Sequence, residues 1–184
     1  MLDLTMRSLP NTVRVGGRDF SIYTDFRLWL KLEIIIKKMQ RYRREIDVSY
    51  LFKNDMPYRC NVSDLLPFLR PQNPLPRSCG AHSKDVIVID YELDSDLIYA
   101  AFLGQYGIDL IDIEELHWHK FLALLSGINE NTKLREVMGY RCYTKSTNKD
   151  RDIYEELRFA WTIDPFVSEE EQAEIDDFNK IFGG

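Results

Sequence analysis

Apolar residues recur along this chain with two periods, and the point where one gives way to the other divides the sequence. Over residues 12–22, Val13 and Val15 alternate with polar neighbours, Gly16-Gly17 interrupts, and Phe20 and Ile22 resume the alternation. Period two marks half-buried strands, and a Gly-Gly pair accepts positive φ at both turn positions, so the segment predicts a β-hairpin. From residue 25 the period becomes helical. Leu28, Trp29, Leu32, Ile35, Ile36 and Met39 share one helical face, with Leu30 and Ile34 widening it. This predicts a helix over about 25–40, with Thr24 as its cap.

The densest apolar stretch runs from Asp90 to Ile128. Asp94 or Ser95 caps a helix reaching Tyr106, and Gly107 stands where a C-terminal glycine belongs. Leu97 to Leu103 leave this helix almost no polar face, so it is expected to be buried on several sides as the central helix. Asp112 with Glu115 has capping-box spacing and predicts a second helix through Trp118, Phe121 and Leu125 to Gly127. The short connection predicts an αα-hairpin, with Trp118, Phe121, Leu122 and Leu125 packed against Ile98, Ala101, Phe102 and Gln105.

Shorter helices are predicted from Asn61 or Ser63 to Leu69, over 131–138 with Gly139 as the stop, and up to Trp161 with Ile153 and Leu157 on its stripe. Val86 to Ile89, a β-branched run, is expected as a third strand. Residues 70–85 hold three prolines and a glycine and read as a mobile loop. Residues 168–182 read as an amphipathic helix with Ile175, Phe178, Ile181 and Phe182 on one stripe. Its flanks carry Asp164, Glu169, Glu170, Glu171, Glu174, Asp176 and Asp177. The fold class is therefore mainly α: a bundle of about five to seven helices with a small N-terminal β-hairpin. One domain is expected over 1–165, followed by an acidic C-terminal helix over 166–184, weakly docked or mobile.

Composition narrows the function classes. The 184 residues are 45% hydrophobic and carry a formal net charge of −6, enough for one core and unfavourable for a large nucleic-acid footprint. No apolar window reaches membrane-spanning or signal-peptide length. Three cysteines far apart fit neither a disulfide framework nor a zinc site, which suits a reducing cytosol.

His117 and His119 are the obvious candidates for chemistry. On a helix, i and i+2 diverge and cannot share a metal. Glu115 with His119 has helical metal-pair spacing, but a single pair is thin. His117 is expected to be partly buried against a neighbouring helix and His119 at the helix surface. Phosphate loop, nucleophile elbow and triad are all missing from the sequence, and Cys142 beside Arg141 has no general base marked for it. The expectation is a non-enzyme without cofactor or metal. The basic run Lys37, Lys38, Arg41, Arg43 and Arg44 reads as a solvated helix end or as a docking patch for acidic protein. Tyr42 within it is the residue type a nucleic-acid stack would use.

The central strings DYELDSDLIYAAFLGQYGIDL and LHWHKFLALLSGINENTKLREVMGYR resemble the gp-fifteen protein family of tailed bacteriophages. The opening VGGRDFSIYTDFRLWLKLE is similar to the same family's first motif, a hairpin followed by Asp25-Phe26-Arg27. His119 departs from the family pattern, in which an aromatic or larger apolar residue follows Trp118. The resemblance implies a protein of the tail-morphogenesis region of phages and prophages of Gram-positive bacteria. It implies most directly a non-catalytic tail assembly chaperone for the tape-measure protein, with tail-tube proteins as further partners, in the cytoplasm of the bacterial host. The alternatives are a structural tail or connector subunit of the virion and, more distantly, a phage regulator that binds nucleic acid. No site residue transfers from the family. Lys37, Lys38, Arg41, Arg43, Arg44, Ile175, Phe178 and Phe182 are candidate partner-binding residues. The opposite charges of 37–44 and 164–177 predict head-to-tail self-association, testable by light scattering of a chain ending at Ser168.

Overall fold

The two glycines turn the chain as their conformational freedom requires. Gly16 and Gly17 have φ of 56° and 83°, and they join β1 (Thr12–Val15) to β2 (Arg18–Ser21) as an antiparallel pair with Val13 opposite Phe20. Val13, Val15, Phe20 and Ile22 point inward and are buried. The structure, a computed structural model, describes residues 4–42, 46–70, 86–143 and 151–163. Among these, six α-helices accompany the single hairpin, so the protein is mainly α with a small β element. The expected loop at 70–85, apart from Arg70, and the acidic helix lie outside the described residues.

Two compact units divide the chain: Met1–Arg77 with Tyr91–Arg135, and Ser78–Asp90 with Glu136–Gly184. In the first, α1 (Phe26–Tyr42) buries Phe26, Trp29 and Leu32, while Leu28, Ile35 and Ile36 are half-buried. The open edge of β2 is met by the segment after a 3-10 turn at Ser49–Leu51. There Ile22 bridges to Phe52, the Tyr23 amide donates to the Leu51 carbonyl at 2.9 Å, and the Lys53 amide donates to Ser21 at 3.1 Å. Pairing of this kind satisfies an edge that would otherwise expose backbone groups. Helix α2 (Val62–Leu69) packs on β1 and opens with the Asp64 carboxylate accepting from the Asn61 amide at 3.0 Å.

Helix α3 (Ser95–Tyr106) ends at left-handed Gly107, φ 64°. Its burial departs from the expectation of a central helix: Ile98, Ala101 and Phe102 are buried, but Leu103 is 43% exposed and Ala100 and Gly104 face solvent. Helix α4 (Trp118–Ser126), capped by His117, starts five residues later than a cap at Asp112 would have it. Asp109, not Asp112, organises the preceding turn, its carboxylate accepting from the amides of Ile111 at 2.9 Å and Asp112 at 3.2 Å. The helices still meet as the pattern requires. Phe102 stacks on Phe121 at 5.1 Å, the Tyr106 hydroxyl donates to the Leu124 carbonyl at 2.8 Å, and the Gln105 amide donates to Gly127 at 3.0 Å.

In the second unit, Val86 to Ile89 forms no strand. A β-branched run needs a partner edge, and here the Val88 carbonyl accepts instead from Arg141 at 3.1 Å. Arg141 is buried and also donates to the Trp161 carbonyl at 2.8 Å. It thereby fixes the last turn of α5 (Lys133–Arg141), which runs through Gly139 where the sequence suggested a stop. A helical glycine costs about 1 kcal/mol, an amount that two hydrogen bonds from a buried guanidinium can offset. Helix α6 (Arg151–Trp161) has Leu157 and Trp161 half-buried and Ile153 59% exposed.

Candidate protein-binding surfaces

Asp25-Phe26-Arg27 and the string around Trp118, far apart in sequence, are bonded to each other. The Phe26 amide donates to the Leu116 carbonyl at 2.8 Å, the Trp118 amide donates to Thr24 at 2.7 Å, and Asp25 bridges to His117. Arg27 straddles the incoming loop, donating to the carbonyls of Leu110 at 2.9 Å, Ile111 at 3.3 Å and Ile113 at 2.8 Å, with Asp25 Oδ2 at 3.1 Å. The other Asp25 oxygen accepts from the Arg27 amide at 3.0 Å. Asp25 therefore does the helix-start work expected of Thr24. The Thr24 hydroxyl goes instead to Glu115 Oε1 at 3.2 Å.

The histidines are likewise structural. His117 is the N-cap of α4: its Nδ1 accepts from the His119 amide at 3.0 Å, so Nε2 carries the proton donated to the Pro10 carbonyl at 2.9 Å. Because His117 precedes the helix, the divergence of i and i+2 side chains does not apply. His119 is buried, not superficial. Its Nε2 meets the Phe68 carbonyl at 2.8 Å, its ring lies 4.5 Å from that of Phe68, and its Nδ1 has no partner. Burial holds both imidazoles below their ordinary value, against an upward pull from the Pro10 and Phe68 carbonyls. Glu115 and His119 are each spent elsewhere. Among the described residues no three His, Cys, Asp or Glu side chains are grouped to hold a metal.

The candidate binding residues are only partly placed. Lys37 and Lys38 are exposed on α1, and Lys38 Nζ lies 2.9 Å from Glu92 Oε1. Arg41 belongs to α1, but its side chain is outside the described residues, as are Arg43, Arg44, Ile175, Phe178 and Phe182 altogether.

Two surfaces that the sequence did not point to are defined instead. One is a shallow groove of about 450 Å³ along α3, with Leu97, Ala100, Ala101 and Gly104 as an apolar floor and Asn131, Thr132 and Lys133 among its polar rim. The other is an open cleft of about 620 Å³ where the N-terminal segment passes the start of α4, lined by Arg7, Lys53 and Lys120 together with Met6 and His117. Its three cations are single basic residues in unrelated parts of the sequence, so no linear pattern announces them.

The model of the family described as Bacteriophage Gp15 protein matches residues 6–163. The chain belongs to that family. It is a phage protein. No curated protein and no solved structure matches the chain. Among its described residues, no helix of this Gp15-family protein is long and apolar enough to cross a membrane.

Proposed function

We propose that this Gp15-family protein acts in tail assembly as a non-catalytic chaperone. In this reading it holds the helical tape-measure protein in the host cytoplasm and presents it to tail-tube subunits. The observation that carries the reading is the mismatch on α3, a helix apolar on nearly every side yet buried on only one. The side left open is a groove floored by small residues and rimmed by polar ones, the form that accepts the apolar face of an amphipathic helix. Small residues in the floor let the partner's backbone approach. Support also comes from the junction, where Arg27, Asp25, His117 and His119 are occupied with holding the chain together.

Co-expression with the tape-measure protein of the same phage tests this. A chaperone keeps the tape measure soluble and co-purifies with it, and mass spectrometry finds none of it in purified particles. A tape measure equally soluble alone would defeat the proposal, and stoichiometric presence in the particle would favour a structural tail subunit.

A further inference from the structure

The cationic cleft is at odds with the rest of the chain. The protein carries six net negative charges, yet Arg7, Lys53 and Lys120 converge on one open depression, all three exposed. They come from three elements. Arg7 lies on the N-terminal segment, Lys53 follows the bridge to β2, and Lys120 sits in the first turn of α4. Among the described residues no ion pair engages any of them, and Lys53 overlies the Tyr23 ring at 5.6 Å. Among the described residues the carboxylate bonded to the rim is that of Glu115, which accepts from Thr24, so positive charge predominates there. Beside the cations, Met6 and Leu4 are 63% and 96% exposed. A surface that pairs unneutralised cations with exposed apolar side chains suits an acidic amphipathic peptide better than a nucleic acid, whose phosphates would also meet the protein's overall negative charge.

One segment with that chemistry belongs to the chain itself. In sequence, residues 164–182 carry Ile175, Phe178, Ile181 and Phe182 at helical spacing among seven carboxylates, with Lys180 as the sole base. We infer that the cleft of Arg7, Lys53 and Lys120 receives the acidic C-terminal segment of a second copy of the chain. Such a contact joins two different surfaces, so it repeats from copy to copy and builds a ring or an open array. It moves the basic partner of the acidic segment from the end of α1 to the cleft. It does not depend on tape-measure binding, and its failure would leave the tail-assembly reading standing.

Sedimentation velocity of the full-length chain decides the matter, run from about 10 to about 300 μM. In about 50 mM salt, where screening is weak, the chain associates with concentration; in about 500 mM salt it does not. Charge reversal of the cleft (R7E/K53E/K120E) weakens association at least about tenfold, and so does reversal of the segment (E170K/E171K/E174K). The cleft variant keeps a native circular-dichroism melt, because all its altered side chains are solvent-exposed, and the same melt is checked for the segment variant. An equimolar mixture of the two variants associates again, since each now presents what the other lacks. Four results overturn the inference: a wild-type chain monomeric throughout, a cleft variant that associates like wild type, association lost only on reversing Lys37 and Lys38, or a mixture that fails to recover. Retention of a labelled single-stranded oligonucleotide by the cleft, without self-association, would assign it to nucleic acid instead.

Discussion

The junction around Arg27 and the outer face of α3 invert the usual relation between polarity and exposure. At the junction, Asp25, Arg27, His117 and His119 bond to backbone of distant segments. On α3, Ala100, Leu103 and Gly104 face solvent in a helix with almost no polar residue on any side. Unpaired polar groups are costly to bury and apolar ones unfavourable to expose, so each region has to be explained by what it contacts. The junction contacts its own chain. Among the described residues of its own unit the groove has no such account, which is why we propose binding there.

The sharpest way to break the junction is through the ring cluster behind it. Phe121 is fully buried and stacks on Phe26 at 4.8 Å, Phe102 at 5.1 Å and Trp118 at 5.7 Å. Phe121→Ala should cost about 3–5 kcal/mol, read as a fall in urea midpoint with an unchanged slope. Arg27→Met comes next. It keeps the apolar stem but leaves the Leu110, Ile111 and Ile113 carbonyls without their guanidinium donor, a loss of about 1–3 kcal/mol. Arg27→Lys should recover little of it, because one ammonium cannot reproduce the planar fork. If Met and wild type melt together, the loop is held by something other than Arg27.

Local signals located the elements that are local in origin. Gly16-Gly17 marked the hairpin, Gly107 marked the end of α3, and the offsets from Leu28 to Ile36 marked α1. The stretch from 112 to 117 was misread as the start of a helix because Asp112 and Glu115 imitate a capping box. Arg27, more than eighty positions earlier, takes the carbonyls that a helix would have offered its own amides, and no window around Asp112 contains it. His119 was placed at the surface by a spacing rule that assumes both histidines are helical, whereas His117 is the cap. The basic end of α1 was visible as a run. The cleft was invisible because folding, not sequence, brings Arg7, Lys53 and Lys120 together.

The histidines give the junction a pH dependence whose sign is fixed. Both have folded-state values held below the ordinary 6.5, chiefly by burial, with Lys120 adding to the effect at His117 and Glu115 opposing it. The unfolded chain therefore binds more protons than the folded one over this window. The stabilisation is complete above about pH 6.5 and is lost as the pH falls below it. Protonation of His117 also places a hydrogen on Nδ1, where the His119 amide now donates, and so removes the cap of α4. His117→Asn retains a capping oxygen and should stay within about 0.5 kcal/mol of wild type at pH 8, with a shallower loss on acidification. Denaturant midpoints at a series of pH values measure both, and an unchanged acid slope would remove His117 from the account.

The smallest effect on stability should have the largest effect on the groove. Gly104 lies in the interior of α3, and a Cβ added there meets nothing within 4 Å. Gly104→Lys exchanges a poor helix former for a good one and should stabilise the fold by about 0.5 kcal/mol, seen as a small rise in melting temperature. The same change sets an ammonium and its stem across the apolar floor, where an incoming helix would have to desolvate it. A variant that melts higher yet no longer co-purifies with the tape-measure protein separates the groove from the fold. Capture at the wild-type level would mean that the open face of α3 is not where the partner lies.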